Sequence, residues 1–131
     1  MIPCMNDENE PGEKLFDLTQ LEEMDDYEYV AEILTAIFAS MPRDLAALQK
    51  ACDSDDFSAI NKMAHILKGS ASVIHANVLI RFLQKMDEFS RTRIHDGLTV
   101  LANQVIEAYG EIENPLKEYL KNISTGNNIS I

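Results

Sequence analysis

Residues 56–74 have the sequence DFSAINKMAHILKGSASVI, and this stretch decides the fold. On a helix with about 100° per residue, it divides into an apolar arc of roughly 200° and a narrow polar strip. An arc this wide is typical of a helix that packs on several neighbours, so we predict a core helix with one uncovered side. The arc contains Phe57, Ile60, Met63, Ala64, Ile66, Leu67, Ala71, Val73 and Ile74. The strip contains Ser58, Asn61, Lys62, His65, Lys68, Gly69 and Ser72.

Three further segments have apolar residues at helical spacing, at about 27–52, 79–89 and 98–120. The first keeps its phase across Pro42, so we favour one long helix kinked there, with a separate helix capped by Ser40 as the alternative. Pro115 predicts a kink or break in the last segment. Thr19 and Glu22 are spaced as a capping box and predict a short first helix. The fold class is therefore all-α, an antiparallel up-and-down four-helix bundle with a short extra N-terminal helix.

Charge is distributed unevenly along the 131 residues, whose net charge is −11. Residues 1–30 contain ten acids and one lysine, whereas six basic residues and two acids lie between Lys62 and Arg93. We expect a flexible acidic leader over 1–14, the bundle over 15–123 and a polar tail over 124–131. An acidic chain of this kind repels nucleic acid and anionic lipid, so we expect neither as a partner.

Several observations favour a cytoplasmic monomer. The N-terminus has no secretory signal, and every apolar stretch is shorter than a membrane span needs. Two isolated cysteines, Cys4 and Cys52, are typical of free thiols in a reducing compartment. Burial within one bundle accounts for all of the apolar stripes, so we predict a monomer. The start at Met1 suggests a free-standing protein, although a fragment of a longer protein would look similar.

The polar strip is the candidate functional site. His65 lies at its centre, with Lys62 one turn before, Lys68 one turn after and Gly69 at the i+4 position. A neutral imidazole is a good nucleophile, and an ammonium group lies one turn away from it on each side. The same lysines can bind phosphoryl oxygens. Glycine inside a helix costs about 1 kcal/mol relative to alanine, and space for a partner to approach His65 is a reason for Gly69.

Residues 64–71, AHILKGSA, resemble the motif of histidine-containing phosphotransfer (HPt) domains, His-x-Leu-Lys-Gly-Ser/Ala. The helix order resembles that family over about residues 15–121. The resemblance implies that His65 is the phosphoacceptor, through Nε2, that Lys68 stabilises the phosphoryl group, and that Gly69 admits the partner. We assign Lys62 and Ser72, which lie on the same strip, supporting roles.

The resemblance implies a carrier in a two-component phosphorelay rather than an enzyme. Its partners would be response-regulator receiver domains, a hybrid sensor histidine kinase, or both. Most of the catalytic machinery, with its Mg²⁺, would belong to the receiver, and we expect no cofactor on this chain. No phosphate-binding glycine-rich loop is present, so we do not expect ATP binding. We expect the docking surface to include the apolar rim of the strip and the adjoining residues 79–81.

One position departs from the family pattern. The family usually has glycine ten residues after the acceptor, and this chain has His75, followed by the usual Ala76. We interpret His75 as a residue at a helix end or turn, with a second acceptor or a tuning role as the alternative.

Two other functions compete with the relay. A metal-binding bundle of the di-iron type needs Glu-x-x-His pairs, and the residues three before His65, His75 and His95 are Lys62, Ser72 and Thr92. A non-catalytic adaptor would bind receiver domains without phosphotransfer. The intact His65, Lys68 and Gly69 argue against this adaptor, whereas His75 keeps it open.

Overall fold

The computed structural model describes residues 14–124, and all the regular structure in this range is helical. A short helix α1 (Thr19–Glu22) is followed by α2 (Tyr27–Asp53), α3 (Phe57–Val73), α4 (Asn77–Arg91) and α5 (Leu98–Ser124). The predicted all-α class, with four main helices and a short extra one, is confirmed.

The four long helices form a closed bundle. Three residues join α2 to α3, three join α3 to α4, and six join α4 to α5. Connections this short make consecutive helices antiparallel neighbours. Helix α5 packs against both α2 and α4, so α3 and α4 form one side of the bundle and α2 and α5 the opposite side. The core between them is aliphatic, and its largest fully buried side chains include Leu34, Leu48, Ile60, Leu67 and Leu83.

Pro42 and Pro115 each lie inside a continuous helix. Helix α2 runs through Pro42 without a break, as we favoured, and Ser40 does not begin a second helix. Its hydroxyl instead lies 3.5 Å from the carbonyl oxygen of Ile37. Helix α5 likewise continues past Pro115 to Ser124. The buried stripes on either side of each proline hold the two halves in one helix.

The short helix α1 exists, but the predicted capping box does not form. The N-cap is Leu18, which makes no side-chain cap bond, and the carboxylate of Asp17 accepts hydrogen bonds from the backbone N–H (3.0 Å) and hydroxyl (2.6 Å) of Thr19. These bonds, the hydroxyl's first, lower the pKa of Asp17. The Glu22 carboxylate instead accepts a hydrogen bond from the Tyr119 hydroxyl, which ties α1 to α5. The bond to Asp17 engages the Thr19 hydroxyl, and the tie to α5 occupies the glutamate that a capping box needs.

Helices α2, α3 and α4 end in the same way. In each, the residue that follows the C-cap has a left-handed backbone, with φ of 53° at Asp55, 51° at His75 and 55° at Arg93. The next residue then donates a hydrogen bond back into the last turn, as in the 3.0 Å bond from the N–H of Ala76 to the carbonyl of Ala71. This is the Schellman arrangement, which usually has glycine at the left-handed position.

Some predictions lie partly or wholly outside the described residues. These are the acidic leader up to residue 13, including Cys4, and the polar tail from residue 125. Within the described range, Cys52 is a buried free thiol whose pKa burial raises to about 11. None of the helices over residues 14–124 is long and apolar enough to cross a membrane.

Candidate functional site

His65 lies in the middle of α3 and its side chain is exposed to solvent. The helix begins where the Asp56 carboxylate accepts a hydrogen bond from the N–H of Ala59, 3.1 Å away. Ile60, Ala64, Leu67 and Ala71 are fully buried and fix the rotation of the helix. This rotation turns His65 away from the core. Its imidazole makes no hydrogen bond or ion pair with any residue in the 14–124 range.

The apolar arc of α3 is narrower than we predicted. Ile66 and Val73 are 43% and 40% exposed, although we placed both among the packed residues. Ile66 is adjacent to His65 in sequence, and Val73 ends the helix. The two helices that pack against α3, α2 and α4, cover a smaller part of its circumference than the 200° arc implied. Exposed apolar side chains therefore border the polar strip, as the predicted docking surface requires.

The structure separates the two lysines of the strip. The Lys68 side chain is 22% exposed, and its Nζ lies 3.8 Å from Oδ2 of Asp87 on α4. Lys62 is exposed and has no ion-pair partner among the residues that the structure describes. Lys68 is therefore held in the groove between α3 and α4, whereas Lys62 extends into solvent on the other side of His65.

Asp87 is the centre of a polar cluster that sequence reasoning missed. It is 8% exposed, and its Oδ1 accepts a hydrogen bond from the amide of Asn61. Its Oδ2 lies 3.5 Å from Nε of Arg91, in addition to Nζ of Lys68. Its backbone carbonyl accepts a hydrogen bond from the Ser90 hydroxyl at 2.7 Å. A buried carboxylate needs such partners, because unpaired burial of its charge is costly.

A sequence signal for Asp87 does exist. Leu79, Leu83 and Asp87 follow one another at i+4 spacing on α4, and both leucines are fully buried. An acid that continues a buried row must have a cationic or hydrogen-bonding partner, which the helix spacing alone does not name. Full burial of Leu79 also shows that the predicted docking surface at residues 79–81 was wrong at this position.

Gly69 and Ser72 lie on the exposed strip as predicted. A Cβ built on Gly69 would meet no atom within 4 Å, so packing within the chain does not require glycine there. The space above this residue is open. This is consistent with a surface that another molecule approaches closely.

His75 lies in the turn after α3, which confirms our first interpretation of this residue. Its Nε2 donates a hydrogen bond to the side-chain oxygen of Gln20 in α1, 3.0 Å away. The positive φ of 51° explains why glycine suits this position, since glycine adopts such a backbone without steric cost. The departure from the family motif therefore falls in this turn and outside the His65 strip.

A metal site is not formed by the residues described. Between positions 14 and 124, no three His, Cys, Asp or Glu side chains lie close enough together to hold an ion. The Asp87 cluster contains one carboxylate and two cations, which is the opposite of a cation site. Its surplus positive charge, close to an exposed imidazole, is suited to an anionic group.

An all-helical bundle that exposes one histidine beside a lysine and an open glycine belongs to the class of histidine phosphotransfer modules. The Hpt domain family model matches residues 32–123, which is more than half of the chain. The chain belongs to the Hpt domain family, and the resemblance inferred from the motif is confirmed.

One curated relative is the multistep phosphorelay regulator 1 of Schizosaccharomyces pombe. It is 25% identical over 89 residues, which are 68% of this chain and 30% of the relative. The chain therefore spans less than a third of that relative's length. No solved structure matches the chain.

Proposed function

We propose that this protein is a phosphoryl carrier in a two-component phosphorelay. In this reaction Nε2 of a neutral His65 attacks the phosphorus of a receiver's phosphoaspartate. The P–O bond to the aspartate breaks, its electron pair leaves with the carboxylate, and an N–P bond forms. The reverse step on a second receiver returns the phosphoryl group to an aspartate. The observation that carries this proposal is the exposed imidazole of His65, which has no partner among residues 14–124 of an Hpt-family bundle.

The neighbouring residues have distinct roles in this reaction. Lys68 supplies a cation to the phosphoryl oxygens, and the exposed Lys62 adds positive charge on the opposite side of His65. Gly69 and Ser72 keep the surface low, so that a receiver can bring its phosphoaspartate to the imidazole. The exposed Ile66 and Val73 supply apolar contact area for docking.

The remaining machinery belongs to the partner. Receiver domains, free or within a hybrid sensor kinase, are the proposed donors and acceptors, and the Mg²⁺ would be bound by the receiver. We further propose that the protein acts as a monomer in the cytoplasm. The buried free thiol of Cys52 is compatible with a reducing compartment.

The test is phosphotransfer from a radiolabelled receiver to the purified chain. We expect wild-type protein to acquire an acid-labile, base-stable label, and the His65→Gln variant to acquire none. Intact folding of the variant is checked by its circular dichroism and urea midpoint. Equal labelling of wild type and His65→Gln would contradict the assignment. Receiver binding that is indifferent to both phosphate and His65 would identify the chain as a non-catalytic adaptor.

A further inference from the structure

Asp87 contacts the reactive side of α3 although it lies on a different helix. Its carboxylate is bonded to Asn61 and Lys68, which are seven residues apart on α3. His65 lies between these two residues, one turn from each. The position of Asp87 relative to His65 therefore follows from the helix geometry.

Asn61 and Lys68 are rotated to the same side of His65, by about 40° and about 60° respectively. Along the axis, Asn61 lies about 6 Å before His65 and Lys68 about 4.5 Å after it. A carboxylate that reaches both must lie at a height between them, beside His65 and on its α4 side. Long side chains lean toward the N-terminus of their helix, which brings the Lys68 ammonium group back toward the turn of His65.

The cluster also fixes side chains that would otherwise be mobile. A free lysine loses side-chain conformational entropy when it is held in one place. Lys68 is held by Oδ2 of Asp87 before any phosphoryl group arrives, and Arg91 approaches the same oxygen. The carboxylate is in turn held by Asn61. Two cations on one carboxylate leave one positive charge uncompensated beside His65.

We propose that Asp87 is a positioning residue for phosphoryl transfer at His65, an inference that rests on the proposed function. Asp87 holds the Lys68 ammonium group level with the imidazole. This group can then contact the phosphoryl oxygens without a further loss of side-chain conformational entropy. Asp87 itself does not touch the phosphoryl group. Its effect on the reaction passes through Lys68 and not through Lys62, which lies on the other side of His65.

A double-mutant cycle tests this route. Asp87→Asn keeps the size of the side chain and removes its charge, and we expect it to slow transfer from a phosphorylated receiver roughly tenfold. In a Lys68→Met background, the same substitution should have little further effect. In the matched Lys62→Met background, the roughly tenfold loss should persist, because Lys62 is not bonded to Asp87. Asp87→Glu, which restores the charge, should recover part of the rate.

A measurement on the wild-type protein keeps the test valid if Asp87→Asn does not fold. The protein is labelled with ¹⁵N-lysine, and phosphoramidate serves as a small phosphoryl donor. We expect phosphorylation to shift the Lys68 ammonium resonance, with no shift at the distant Lys50. An unchanged Lys68 resonance on phosphorylated protein would overturn the proposal.

The cycle separates the two proposals. A labelled wild type in which Asp87→Asn transfers at the normal rate would overturn the positioning role alone. The same holds if Asp87→Asn slows transfer equally with and without Lys68. A wild type that never acquires label on His65 would overturn the phosphotransfer function and the positioning role with it.

Discussion

His65 and His75 are ten residues apart, and they show how differently one residue type can be used. His65 lies within α3, exposed and without a partner among the residues in the structure. His75 follows the end of α3 with a φ of 51°, and its Nε2 is committed to Gln20. A ring nitrogen that already donates a hydrogen bond is a poorer nucleophile. The comparison shows that location and partners, rather than the presence of an imidazole, identify the candidate acceptor.

The largest expected effect on labelling comes from variants that retain a single histidine. A His75→Gln/His95→Gln variant, which retains only His65, should acquire the full label from a phosphorylated receiver. A variant that retains only His75 should acquire none, because its backbone position and its bond to Gln20 remain. Quantitative autoradiography of the two proteins measures the difference. Label on the His75-only protein would contradict the distinction between the two histidines and support His75 as a second acceptor.

A smaller effect on transfer is expected from substitution of Gly69. This substitution should change docking and stability in opposite directions. Gly69→Leu should stabilise the bundle by about 0.5–1 kcal/mol, because glycine is a poor helix former and the space above it is open. It should also slow transfer from a receiver at least roughly tenfold, since a bulky side chain beside His65 obstructs close approach. Urea denaturation and a transfer assay measure the two effects.

Gly110 provides the matched control for this prediction. It also lies inside a helix, a Cβ on it would meet no atom within 4 Å, and it faces the groove between α2 and α5. Gly110→Leu should give the same gain in stability without a loss of transfer. Equal transfer rates in the two leucine variants would show that Gly69 has no role in docking.

The smallest expected effect concerns the turn at His75. His75→Gly should raise the free energy of unfolding by about 0.5–1 kcal/mol, because relief of the left-handed backbone exceeds the loss of one exposed hydrogen bond. Asp55→Gly should gain less, since aspartate tolerates this conformation better. Thermal and urea denaturation measure both. A destabilised His75→Gly protein would mean that the bond to Gln20 contributes more than the backbone strain costs.

Much of the fold was predictable because helical periodicity depends on local sequence. The phase of the stripe across Pro42 correctly indicated one helix, since the apolar positions on both sides face the same core. The capping box at Thr19 and Glu22 was wrong, because Asp17 and Tyr119 offered these groups other partners. One of these partners lies almost a hundred residues away, where a local motif carries no information.

In the candidate site too, features that depend on one helix were predictable and contacts between helices were not. The motif around His65 lies on one helix, and its exposure followed from the rotation of α3. The pairing of Lys68 with Asp87 was not predictable, because it depends on the register between α3 and α4. Helix spacing alone places the two lysines symmetrically about His65, and only the family motif distinguished Lys68 from Lys62 in the sequence. The neighbouring helix makes them different.

The N-terminal segment has a consequence for where this domain physically begins. The N–H of Asp17 donates a hydrogen bond to the carbonyl of Ile74, and Leu18 and Leu21 are buried against the bundle. The family match begins at residue 32, inside the second turn of α2. A boundary drawn by similarity would cut that helix and strip an apolar cover from one end of the bundle. The packed unit therefore begins before the residues that the family model matches.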